Sequence, residues 1–214
     1  MKINYKIKNG IILVTIAIFT LIAVRAQSQS LEIGAFGGGA YILNDYERAI
    51  PFKNNGYTVG AIARLNLNTR WAFRLSYNYG NINYYNSDNQ TTPFTSVIND
   101  VSLIAEFNFS EYKTGGKNST FSPYLFGGLS GFAYDSISNN VKFSSALTFG
   151  VGVKYSLTKK IGIGFEWGMR KTLTDDLDGD DRDSNLFYGT DWYNFTGITL
   201  TYKLDIFNSK KCKN

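Results

Sequence analysis

Residues 161–173 read IGIGFEWGMRKTL, and taking every second residue divides them into two unlike faces. Ile161, Ile163, Phe165, Trp167, Met169, Lys171 and Leu173 form one; Gly162, Gly164, Glu166, Gly168, Arg170 and Thr172 form the other. A period of two belongs to a β-strand, whose side chains alternate across the sheet. The first face is apolar and bulky until Lys171 at its exit, while the second combines glycine, a hydroxyl and two opposite charges. Such a strand fits a wall with hydrocarbon on one side and a narrow polar interior on the other.

The same pattern recurs along the chain and predicts strands at 31–42, 56–67, 70–82, 98–109, 121–134, 143–157, 161–173 and 192–206. In the second, Tyr57, Val59, Ala61, Ala63, Leu65 and Leu67 oppose Thr58, Gly60, Ile62, Arg64 and Asn66; in the third, Trp71, Phe73, Leu75, Tyr77 and Tyr79 oppose Ala72, Arg74, Ser76, Asn78 and Gly80. The first strand is glycine-rich, and the fifth carries bulky and small residues on both faces, so their registers stay open. Connections alternate long and short apart from 110–120 (SEYKTGGKNST), which reads as a flexible link. Short turns on one side and longer loops on the other describe an eight-stranded antiparallel transmembrane β-barrel of the outer-membrane type, with both chain ends on the short-turn, periplasmic side.

The first residues look like an export signal. Lys2, Lys6 and Lys8 precede an apolar core at 11–24, and Val24-Arg25-Ala26 is a small-residue cleavage site. The core is too short for a helix that spans a bilayer, which needs about 20 residues. The expected organisation is a signal peptide at 1–26, a barrel at 27–207 and a basic periplasmic tail at 208–214. The leader takes four of the 22 bases and none of the 17 acids, so the mature chain is close to neutral and its balance gives no support for nucleic-acid binding. Cys212 is the single cysteine, so no internal disulfide can form.

Alternation alone does not say which face is outside, and a secreted soluble barrel or sandwich is the alternative. Composition favours the membrane barrel. The polar faces are mainly Gly, Ser, Thr, Asn and Ala with one or two charges per strand, whereas a water-facing surface carries about a quarter to a third charged residues. The inward charges, Glu32, Arg64, Arg74, Glu106, Lys154, Glu166, Arg170, Lys203 and Asp205, are of mixed sign. In a barrel wide enough only for side chains, they are expected to pair with one another as a structural plug.

Chemistry is sparse. The chain contains no histidine, which removes Ser-His machinery and Cys/His metal clusters. The GVG and GIG pairs at 150–152 and 162–164 lie inside strands, where glycine makes room in the lumen rather than a phosphate loop. Asp175, Asp176, Asp178, Asp180, Asp181 and Asp183 crowd one loop, but their spacing is wrong for an EF-hand, and they read as a solvated loop or one bridged to lipopolysaccharide by divalent ions. No catalytic, cofactor or metal site is assigned, and the chain does not read as an enzyme. On the short-turn side, Arg70, Lys113, Lys117, Lys159, Lys160, Lys210, Lys211 and Lys213 face only Glu111. Lys159, Lys160, Lys210, Lys211 and Lys213 make a candidate docking rim for an acidic periplasmic partner, with an ordinary solvated edge as the alternative.

Several of these stretches carry a family resemblance: EIGAFGGGAYIL (32–43), RWAFRLSYNYGNI (70–82), EFNF (106–109), FSPYLFGG (121–128), FGVGVKYSL (149–157) and EWGMRKTLTDDLD (166–178). Together they resemble the PorG-like outer-membrane proteins of the type IX secretion system. The most specific piece is Arg170-Lys171-Thr172 followed by Thr174-Asp175 and Leu177-Asp178. The chain departs at Asp176, where similar proteins tend to carry an aromatic, and at Gly179, where they tend to carry an acid. The resemblance implies a non-enzymatic accessory or anchoring component of the secretion and gliding apparatus. Its partners would be outer-membrane lipids, a periplasmic ring lipoprotein and other components of the machine. The alternative is a stand-alone small barrel that stabilises the envelope or binds surfaces.

Overall fold

Eight strands carry most of the structure: β1 (Ser30–Leu43), β2 (Gly56–Asn66), β3 (Trp71–Tyr84), β4 (Phe94–Asn108), β5 (Phe121–Asp135), β6 (Val141–Ser156), β7 (Ile161–Thr172) and β8 (Trp192–Leu204). The computed structural model describes residues 30–43, 56–84, 94–135, 141–172 and 192–204. The expected leader, the acidic loop 174–191, Asp205 and the tail 208–214 lie outside the described residues. Each strand pairs antiparallel with the next, and β1 pairs with β8, so the sheet closes on itself. Closure leaves no sheet edge and satisfies the backbone hydrogen bonds that hydrocarbon would not.

Burial settles which face is outside. Leu103 and Leu129 are 62% and 63% exposed, whereas Arg64 and Glu106 are 2% and 0% exposed. A soluble barrel would show the reverse. Register carries the apolar face around the wall, since Ile33 pairs with Ala63, Ala63 with Leu75, Leu75 with Leu103, Leu103 with Leu129 and Leu129 with Leu147. Aromatic rings flank this belt. Trp71, Phe109, Phe121, Tyr155 and Tyr202 are exposed toward the short turns, and Tyr57, Tyr79 and Phe143 toward the longer connections. An apolar band between aromatic girdles matches the depth profile of a bilayer.

The structure decides the two open registers. On β5, Ser122, Tyr124, Phe126, Ser130, Phe132 and Tyr134 are buried while Phe121, Leu125 and Leu129 are exposed. Large inward rings blurred the alternation, and glycine across the lumen wall makes space for them. A Cβ on Gly150 would lie 2.6 Å from Phe126 Cζ and 2.3 Å from the Trp167 carbonyl oxygen. On β1, Glu32, Phe36 and Ala40 are buried and Ile33 is exposed. The β3–β4 hairpin runs further than expected, with β4 starting at Phe94 rather than 98 and Tyr84 paired with Phe94. Backbone pairing continues there without an apolar alternation to announce it.

Candidate functional site: the lumen and its covered end

Glu32 on β1, Arg64 on β2, Arg74 on β3, Glu106 on β4, Lys154 on β6 and Glu166 on β7 meet in one buried cluster. Arg64 bridges three carboxylates: Nη1 is 3.1 Å from Glu32 Oε2, Nε 2.9 Å from Glu106 Oε2 and Nη2 3.9 Å from Glu166 Oε1. Arg74 Nε lies 3.2 Å from Glu106 Oε1, and its Nη1 pairs with Glu166. Lys154 donates to Glu106 and, at 3.1 Å, to Asn108 Oδ1, with its ammonium 4.1 Å from the centre of the Tyr124 ring. Tyr124 donates to Glu166 and Asn66 to Glu32. An unpaired charge at this depth would cost several kcal/mol, so each ion is held by partners on other strands.

A second group lies nearer the long connections. Asp100, fully buried, accepts from Tyr193 Oη at 3.0 Å and from Ser102, and its Oδ2 is 3.4 Å from Arg170 Nε. The Arg170 guanidinium rests 4.0 Å from the centre of the Phe195 ring. Across both groups, Glu32, Asp100, Glu106 and Glu166 balance Arg64, Arg74, Lys154 and Arg170. A cavity beside Arg74, Ser76, Glu166 and Arg170 offers about 20 Å³, room for about one water. Beyond it Ile98, Phe132, Tyr134 and Ala146 close an apolar layer. Among the described residues, paired charges and aromatic rings fill the lumen around this small cavity, as expected of a barrel only wide enough for side chains.

The connection 110–120, expected to be a flexible link, instead folds across the barrel mouth. Tyr112 and Thr114 are only 4% and 2% exposed. The Thr114 hydroxyl donates to Glu32 Oε1 at 2.6 Å and lies 3.3 Å from Tyr112 Oη. Burial pushes the Tyr112 phenol up. Gly115 N donates to Ser156 Oγ at 2.8 Å, Tyr112 N to the Thr69 carbonyl at 3.0 Å, and Lys203 Nζ to the Thr114 carbonyl at 3.2 Å. Gly115 makes the turn at φ 81°, and a Cβ there would sit 2.3 Å from the Lys159 carbonyl oxygen. A loop leaving β4 therefore reaches β1, β6 and β8.

Arg64, Arg74, Glu106, Lys154 and Glu166 come together as one cluster, and Arg170 joins the group around Asp100. Lys203 is the exception: it binds a loop carbonyl rather than the carboxylate cluster, because its inward position lies at the mouth, where the crossing loop is nearest. Lys159 and Lys160 are exposed on the β6–β7 turn, while Asp205, Lys210, Lys211 and Lys213 lie outside the described residues. Sequence reasoning missed Asp100, Tyr112 and Thr114. Asp100 shares the inward parity of Ser102 and Glu106, a signal that was present. For the other two the only cue is the TGG turn.

These features define a class: an eight-stranded antiparallel barrel of the outer-membrane type, apolar outside and charge-paired within. The chain belongs to the family described as "Domain of unknown function (DUF6089)", which matches residues 11–213. No curated protein matches its sequence. Among solved structures, it is similar to Neisserial surface protein A (NspA), with a TM-score of 0.52 and 16% identity over 83% of this chain and 100% of that one. It is also similar to the N-terminal β-barrel domain of Pseudomonas aeruginosa OprF, at 18% identity and a TM-score of 0.49 over 82% and 97% of the two chains. Ail of Yersinia pestis matches at 14% identity and a TM-score of 0.45 over 82% and 97%. At such identities NspA speaks for the fold alone.

Proposed function

We propose that this protein is an integral outer-membrane anchor that serves as an accessory component of the type IX secretion and gliding apparatus, holding a periplasmic ring lipoprotein at its short-turn end. The observation that carries the anchoring role is the filled lumen. A barrel whose interior is occupied by paired charges and a mouth-crossing loop contributes a fixed point in the membrane rather than a conduit. The secretion role itself rests on the resemblance of the strand segments and of Arg170-Lys171-Thr172 with the residues after it. Deleting the gene should reduce export of many cargo proteins together, and mild-detergent purification should bring a periplasmic lipoprotein with the barrel. Normal export in the deletion strain would end the secretion role.

A stand-alone barrel with an envelope-stabilising or surface-binding role is the second reading. It is favoured by one observation: β1 pairs with β8 and the sheet closes on itself, so the described strands leave no edge for a partner to cover. A deletion strain with normal export but altered surface binding would select it.

A further inference from the structure

We propose that the crossing loop 110–120 and the β6–β7 turn together form a docking platform for a carboxylate-rich protein surface, an inference that rests on the short-turn end facing the periplasm. The loop's inward residues anchor it, and its outward residues carry charge. Lys113 stands between buried Tyr112 and Thr114 and is itself exposed, as is Lys117. The close approach of Gly115 to the Lys159 carbonyl sets this pair beside the lysine turn, and the bond from Tyr112 N to Thr69 sets the loop's start beside Arg70. Residues far apart in sequence thus share one basic face, with Glu111 the exposed acid in the loop.

Geometry separates a protein partner from a lipid. Headgroups ring the barrel wall, where Lys160 lies 5.9 Å from the centre of the outward Tyr202 ring. Lys113 belongs to a segment that crosses the mouth, which faces water and not the bilayer. A basic face there complements an acidic protein surface, where charge acts mainly on encounter and orientation.

The test uses the full chain in phosphatidylcholine nanodiscs and a poly-glutamate peptide as probe, with association rates measured across a salt series. The peptide should associate more slowly as salt rises, and Lys113→Glu with Lys117→Glu should slow association by roughly tenfold or more. Gly115→Val keeps every charge but displaces the loop, so it should also slow association in protein whose heat-modifiable gel shift shows a folded barrel. Wild-type rates in either variant would overturn the proposal. So would a lysine double variant that loses enrichment of phosphatidylglycerol in mixed nanodiscs yet binds the peptide normally, since the face would then read lipid. A platform that behaves as expected in a strain with normal export would remove the secretion role and leave the surface standing.

Discussion

Glu106 carries one negative charge and meets three cations. Its two oxygens meet Arg64, Arg74 and Lys154, all at most 3% exposed. Glu106→Gln preserves the shape and leaves three cations around a neutral amide, so we expect a loss of about 3 to 5 kcal/mol, read as a lower urea midpoint for unfolding from lipid vesicles. A midpoint unchanged from wild type would mean that the cluster reorganises around Glu32 and Glu166. At this scale the candidate site was half legible. Parity along a strand places Arg64, Arg74, Glu106 and Glu166 inward, because each alternation is local. Which carboxylate each cation meets was not legible. Arg74 and Glu166 stand 92 residues apart and are joined only when the sheet closes.

Strands carry the next level of the argument. Leu75 and Val151 are each 53% exposed on the wall, and Arg in either place should cost about 2 to 4 kcal/mol near the bilayer midplane. Folding yield into vesicles, followed by the gel shift, measures it; wild-type insertion of Val151→Arg would reverse the assignment of β6. Ser76→Arg asks a different question, because Ser76 is 5% exposed beside a cavity of about 20 Å³. A guanidinium does not fit that volume, so this variant should fold poorly for lack of lumen space rather than through lipid contact. The clean alternation of β2, β3 and β7 made them readable. In β5 it was masked, since Tyr124 and Phe126 face inward where small residues are the usual filling and depend on Gly152 and Gly150 across the wall.

For the whole molecule, the lumen contents predict electrical silence. In planar bilayers the protein should show no steady ion conductance, and the Tyr112→Gly, Thr114→Gly double variant should stay silent, because the charge cluster and the aromatic layer remain beneath the loop. Steady single-channel steps from wild type would contradict the filled core. Strand number, antiparallel order and the choice of hydrocarbon for the apolar face were all determined by the sequence itself. They follow from period-two patterning and from the poverty of charge on the polar faces, both properties of short stretches. Tertiary structure alone decided the pairing of the buried ions, the recruitment of Asp100 and the inward face of β5. It also turned 110–120 from an expected loose link into a mouth-crossing segment. Those features depend on distances across the lumen, which exist only once β1 has met β8 and segments remote in sequence face one another over a few ångströms.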